Sequence, residues 1–228
     1  MEIHGLQKMT LLDFPGKVAC IAFFGGCDMR CPFCHNWGLA TGADAPQLSE
    51  QELLDFLRKR TGILEGVVIS GGEPLLRDLR PLLRRIRGLG YAIKLDTNGS
   101  HSQRLREVVE EDLVDYVAMD IKNSPQHYSR TAGVEGIDLS AVGESIAFLL
   151  EGHVDYEFRT TAVAEFHGTE GFRQIGEWIR GARRYFLQPF TDRESVPFAG
   201  FHAPEKARLE EFADIVRPFV GAVAIRGE

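Results

Sequence analysis

Residues 66–88 read GVVISGGEPLLRDLRPLLRRIRG. The stretch begins as a short run of β-branched side chains, breaks at Gly71 and Gly72, and then places Leu79, Leu82, Leu83 and Ile86 at helical period. Arg77, Arg80, Arg84 and Arg87 take the other side, as the wet face of a helix should. A strand, a turn and an amphipathic helix in one short segment form a βα unit, and the same cadence recurs along the chain. VACIAFF (18–24), YAIKL (91–95), DYVAM (115–119), VDYEFRTT (154–161) and RYFLQ (184–188) are further strand candidates, with AVAIRG (222–227) a weaker last one. They are rich in Val, Ile, Phe and Tyr and mostly apolar on both faces, as covered strands are.

Helices fall between them. Ser49 and Glu52 make a capping box ahead of Leu53, Phe56 and Leu57, and Leu105, Val108 and Val109 repeat the period. Val142, Ile146, Leu149 and Leu150 do so again; Pro204 then opens a last helix through Leu209, Phe212, Ala213 and Val216. Regular alternation of this kind predicts a parallel sheet with right-handed crossovers. The units are too few for a closed eight-fold barrel. The expected fold is α/β, a partial, open TIM-type barrel of about six βα units with helices outside. No linker or change of composition divides the 228 residues, so residues 1–228 are expected to form one domain.

Composition narrows the function. The 44% hydrophobic and 26% charged residues are ordinary for a soluble domain, and a net charge of -7 disfavours a nucleic-acid partner. No apolar run approaches the roughly 20 residues of a membrane helix, and MEIHGLQKMT lacks a signal-peptide core. A cytoplasmic location follows as the expectation, and there clustered cysteines bind metal or do chemistry more often than they pair.

The polar residues gather where the strands end. VACIAFF runs into the cysteines of GGCDMRCPFCHNW, GVVIS into GGEP, YAIKL into DTNG and DYVAM into DIKN. Parallel α/β folds do their chemistry at that edge. Cys27, Cys31 and Cys34 stand at steps of four and three residues, and only Cys20 lies elsewhere. A disulfide would leave one of the three unpaired. Structural zinc wants four ligands, with His35 or Cys20 available as the fourth; Cys20, in mid-strand, also suits an inert buried thiol. The remaining alternative is a four-iron cubane with one iron left free of protein, able to bind a substrate.

CDMRCPFC, with Phe33 before the last cysteine, resembles the cysteine loop of radical S-adenosylmethionine enzymes, and GGEP resembles their second motif. The order of cysteine loop, GGEP, DTNG and DIKN is similar to that of the activating enzymes of glycyl-radical proteins. HGLQKMTLLDFPGKVACIAFFGGC and CPFCHN look most like the activases of anaerobic ribonucleoside-triphosphate reductase, with pyruvate formate-lyase activases close behind. The resemblance covers essentially the whole chain. It implies a [4Fe-4S] cluster on Cys27, Cys31 and Cys34 whose open iron binds S-adenosylmethionine. Reductive cleavage then gives a 5'-deoxyadenosyl radical that takes a hydrogen from a glycine of a partner glycyl-radical enzyme.

The same resemblance assigns cofactor contacts. Phe33 would lie by the adenine, and Gly71, Gly72 and Glu73 by the methionine ammonium group. Asp96, Thr97, Asn98, Asp120, Lys122 and Arg159 would meet the ribose and carboxylate, with a monovalent cation held by Asp96, Thr97 and Asp120. His35 and Asn36 would flank the cluster; the other histidines are expected to be surface or structural residues. Two departures stand out. Thr191 occupies the place of a cofactor-holding His in formate-lyase activases, and no cysteine follows Cys34, so electrons must come from a separate flavodoxin or ferredoxin. The competing expectations are a radical enzyme with a small-molecule substrate and a zinc-stabilised binding module.

Overall fold

A computed structural model describes residues 1–227. In chain order the strands and helices are β1 (Glu2–Ile3), β2 (Gly5–Thr10), β3 (Ala19–Phe24), α1 (Trp37–Thr41), β4 (Leu48–Ser49), α2 (Glu50–Arg58), β5 (Gly66–Gly71), α3 (Arg80–Gly88) and β6 (Ala92–Thr97). They continue as α4 (Ser102–Glu110), β7 (Tyr116–Asp120), α5 (Tyr128–Ala132), α6 (Ser140–Leu150), β8 (Asp155–Ala162), α7 (Thr169–Trp178), β9 (Tyr185–Pro189), α8 (Lys206–Val216) and β10 (Val223–Ile225). Every strand read from the sequence is present.

The main sheet has the order β10-β9-β8-β7-β6-β5-β3-β2. Its strands pair in parallel except at β2, which runs antiparallel to β3. The end strands β2 and β10 do not pair, so the barrel is open. Strand β2 was not legible in advance: its exposed Gln7, Lys8 and Met9 give it no buried face to read. Among the described residues no helix is long and apolar enough to cross a membrane.

Two expectations change in detail. The central strands are not apolar on both faces. On β6, Ile93 and Leu95 join the core under the helices, while Lys94 and Asp96 alternate with them. Likewise Tyr156 and Phe158 of β8 are in that core, and Glu157 and Arg159 alternate with them. The period-2 rule puts these polar residues on the concave face. Near the strand N-termini that face holds a smaller apolar cluster of Phe14, Ala19, Ile21, Val68 and Tyr116. It becomes charged towards the strand C-termini, where a ligand would enter.

The arginines in and just before α3 also divide. Arg80 and Arg84 pair with Glu111 of the α4 end, and Arg87 with Asp115, on the wet side as expected. Arg77 turns inward, donating to the Gly25 carbonyl at 2.6 Å with its guanidinium over the Phe24 ring. Helix α2 has the predicted capping box: Ser49 accepts from the Glu52 amide, and Glu52 accepts from the Ser49 amide at 2.7 Å.

Candidate active site

The loop that follows β3 is set against β5 by its own backbone. The Gly72 amide donates to Phe24 O and the Glu73 amide to Gly26 O, each at 2.8 Å. A Cβ on Gly72 would sit 2.0 Å from Gly26 O; one on Gly71, at φ +120°, would sit 2.3 Å from Phe24 O. The two glycines therefore let the strand end meet the cysteine loop. That is a tighter constraint than the ligand approach expected of them. Asn36 adds a side-chain bond to Gly71 O at 3.0 Å, and His35 Nε2 lies 2.6 Å from Thr191 O while its ring stacks on Phe190.

This clamp brings the expected residues to one cavity. Cys27, Cys31, Cys34 and Phe33 line one side; Gly71, Gly72, Asp96, Thr97, Asn98, Asp120, Lys122 and Arg159 line the rest. Phe33 is almost fully buried between Phe166 and Phe190. Cys20 is buried in β3 and does not line the cavity.

Glu73 is the exception among the candidates. It is wholly buried, absent from the cavity wall, and accepts from Leu75 N at 2.9 Å, Thr97 Oγ1 at 2.9 Å and Asn98 N at 2.6 Å. It fastens the turn after β5 to the turn after β6, so its place is structural. Burial pushes its carboxyl up to about 7 against these three donors, which favour the anion.

Opposite the thiols the charges alternate across three strands. Lys94 Nζ donates to Asp96 Oδ1 at 2.5 Å, and Arg159 bridges Asp96 and Asp120. Lys122 Nζ reaches Asp120 Oδ2 at 2.8 Å, and Ser70 Oγ donates to Asp96 Oδ2 at 2.9 Å. Burial works against both carboxylates, but Arg159 with Lys94 or Lys122 overcomes it and holds each below the usual range. Of this network Asp96, Asp120, Lys122 and Arg159 line the cavity, two charges of each sign, and Lys94 is buried behind them. The monovalent cation expected at Asp96, Thr97 and Asp120 finds no oxygen cage here. Protein cations take the carboxylates, and the Thr97 hydroxyl is turned to Glu73.

The thiols are held protonated by burial, Cys27 up to about 12 and Cys31 up to about 11, with Cys34 raised as well; the Lys122 ammonium opposes the shift at each. A positive group facing all three suits sulfurs that become thiolates on binding iron. Among the described residues no three Cys, His, Asp or Glu side chains converge as a single bound ion requires. Ser70, Lys94, Met29, Trp37 and Thr161 belong to the site or its charge network and were missed. Lys94 had a signal, a cation inside an apolar strand two residues before an aspartate. Three of the histidines expected to be surface or structural residues brace segments next to the site: His4 accepts from Gly25 N, His101 faces Asp28, and His167 bonds the Lys122 carbonyl.

The Radical SAM superfamily profile matches residues 21–157, from β3 into β8, a stretch holding the cysteine loop and the three turns that face it. The chain belongs to that superfamily, whose enzymes use a [4Fe-4S] cluster and S-adenosylmethionine. Its end-to-end relatives place it with the glycyl-radical-enzyme activating enzymes. It is 32% identical to the pyruvate formate-lyase 1-activating enzyme of Escherichia coli, over 96% of both chains. It is 27% identical to a Methanocaldococcus jannaschii protein provisionally assigned as a glycyl-radical enzyme activating enzyme, over 98% of this chain and 95% of that one. In fold it is similar to a radical SAM methyltransferase of Sphaerobacter thermophilus, with a TM-score of 0.73 at 17% identity over 96% of this chain and 69% of that one.

Proposed function

We propose that this chain is the activase of a glycyl-radical enzyme, with an anaerobic ribonucleoside-triphosphate reductase as its partner. One observation carries the reading: three thiols and the linked charges of Asp96, Arg159, Asp120 and Lys122 share a single cavity at the strand C-termini. Cys27, Cys31 and Cys34 would hold the cluster, and Lys122, Arg159 and the turns after β5 and β6 the cofactor. Bound together and reduced, cluster and cofactor supply a 5'-deoxyadenosyl radical. The protein's own part is to keep the thiols on one side, present Lys122 and Arg159 to the cofactor carboxylate and shelter the adenine against Phe33. Glu73 acts on this site only by fixing its turns. Electrons come from a separate flavodoxin or ferredoxin, since no cysteine beyond Cys34 is present to relay them.

The choice of reductase over formate lyase rests on HGLQKMTLLDFPGKVACIAFFGGC and on Thr191, which touches His35 through its carbonyl. The 32% identity to the Escherichia coli activase favours a formate-lyase partner as the second reading. The test is anaerobic incubation of reconstituted protein with S-adenosylmethionine, reductant and each partner, followed by electron paramagnetic resonance. A doublet on the reductase and none on formate lyase is expected. A signal only on formate lyase selects the second reading, and 5'-deoxyadenosine formed with neither partner points to a small-molecule substrate.

A further inference from the structure

Asn98 follows β6 and is almost fully buried in the wall of the cavity that Cys27 also lines. Its backbone amide is spent on Glu73, and its side chain is fixed at both ends. The carboxamide oxygen accepts from Ser100 N at 2.9 Å and from Ser100 Oγ at 2.6 Å. A backbone N–H can only donate, so this contact settles which end of the group is oxygen. The amide nitrogen then points the other way, 2.8 Å from Asp28 Oδ1 and 3.9 Å from Cys27 Sγ. It carries two hydrogens; Asp28 takes one, and the second is left for the sulfur.

What Cys27 does with that hydrogen depends on its state. As a thiol it turns its own proton to Asp28 Oδ1, 3.8 Å away, and takes the Met29 N–H at 3.4 Å. On iron the proton is gone and the sulfur is a thiolate, which only accepts. The two donors already at hand are the Met29 amide and the Asn98 carboxamide. The first is local to the loop. The second comes from the turn after β6, 71 residues away in the chain, a turn that Glu73 fastens to the end of β5.

We infer that Asn98 is a positioning residue that tunes the cluster: its carboxamide donates to the sulfur of ligated Cys27. The inference rests on the proposed ligation by Cys27, Cys31 and Cys34. A hydrogen bond to a cluster sulfur stabilises the more negative, reduced state and raises the potential. With both ends of the group engaged, its part lies with the cluster rather than with the ribose expected of it.

The experiment is an anaerobic redox titration, without S-adenosylmethionine, of reconstituted wild type, Asn98→Ala and Ser100→Ala, read by the reduced-cluster paramagnetic signal. Iron and sulfide are assayed on each. Asn98→Ala keeps the backbone bond to Glu73 and should load normally. At a fixed solution potential its ratio of reduced to oxidised cluster should fall about tenfold, a shift of about 59 mV to lower potential. Ser100→Ala loosens the same turn but keeps the carboxamide and the Ser100 N–H that orients it, and should titrate as wild type. Equal potentials in wild type and Asn98→Ala overturn the inference, as does an equal shift in Ser100→Ala. Asn98→Ala also strips a donor from Asp28, so the comparison is repeated on Asp28→Asn. The same shift must persist there; its disappearance assigns the effect to the Asp28 carboxylate and overturns the idea. Should Asn98→Ala not load, wild type grown with asparagine carrying heavy nitrogen in its side chain decides. Asn36, the other asparagine in the cavity wall, gives its side-chain nitrogen to Gly71 O. Pulsed paramagnetic resonance of the reduced cluster must show coupling to the labelled nitrogen, and none overturns the inference. A wild type that binds no cluster defeats the ligation itself, a different result from a loaded protein with an unmoved potential.

Discussion

The Glu73 carboxyl is caught between burial and three donors, and the balance gives it a measurable pH signature. Its folded-state value near 7 lies above the 4.5 of an ordinary glutamate, so the folded protein binds the extra proton between those limits. A raised carboxyl works opposite to a salt-bridged one: stability is highest at the acid end of the window and falls as pH rises towards 7. Unfolding by denaturant should show about 3 kcal/mol lost from pH 4.5 to 7.5. Glu73→Gln should lose that slope whatever its absolute stability, and a slope equal to wild type would remove Glu73 as its source. Lys94 makes the related point in the same strand layer. It is nearly inaccessible and its Nζ donates to Asp96 Oδ1 at 2.5 Å. Sequence shows the pair at i and i+2 but not that both turn into the concavity.

At the level of elements, the decisive contact joins the end of β5 to the loop after β3. Gly72 packs its Cα against Gly26 O, one residue before Cys27. Gly72→Ala must push that backbone away, at a cost of about 1–3 kcal/mol by comparison with other overpacked sites. The expected result is a folded protein with normal helical circular dichroism and much less iron per chain after anaerobic reconstitution. Gly88→Ala, at a position with open space around it, is the control and should load as wild type. Normal loading by Gly72→Ala would show that the loop and strand can part without disturbing the thiols. The GGEP turn was legible as a site from its residues; its physical basis, one backbone lying on another, was not.

Across the whole molecule, the open barrel is fastened at its late edge by an ion pair whose carboxylate is fully buried and whose guanidinium is partly exposed. Arg226, just beyond β10, makes two bonds to the fully buried Glu157 at 2.5 and 2.7 Å, and Tyr116 OH donates to the same carboxylate at 2.6 Å. The Arg226 guanidinium also lies 3.6 Å over the Phe186 ring. Removing one partner of such a pair leaves a charge in the interior, so Arg226→Ala should destabilise the protein by about 3–5 kcal/mol. Equilibrium denaturation would measure it. Pairing Arg226→Met with Glu157→Gln should recover a large part, and no recovery would mean that packing on Phe186 is what Arg226 supplies. The weak last strand of the sequence reading is thus secured by a side chain rather than by strand propensity.

The amino-acid sequence alone determined the βα cadence, the open parallel barrel and the gathering of cysteines and polar turns at one edge. These depend on periods and spacings within a few residues, which any reader of the chain can count. Tertiary structure alone decided that Glu73 is a brace, that the glycines admit a neighbouring backbone and that Lys94 is interior. Each of those depends on which atoms from distant segments lie opposite, and such proximity is fixed only when strands far apart in the chain close side by side.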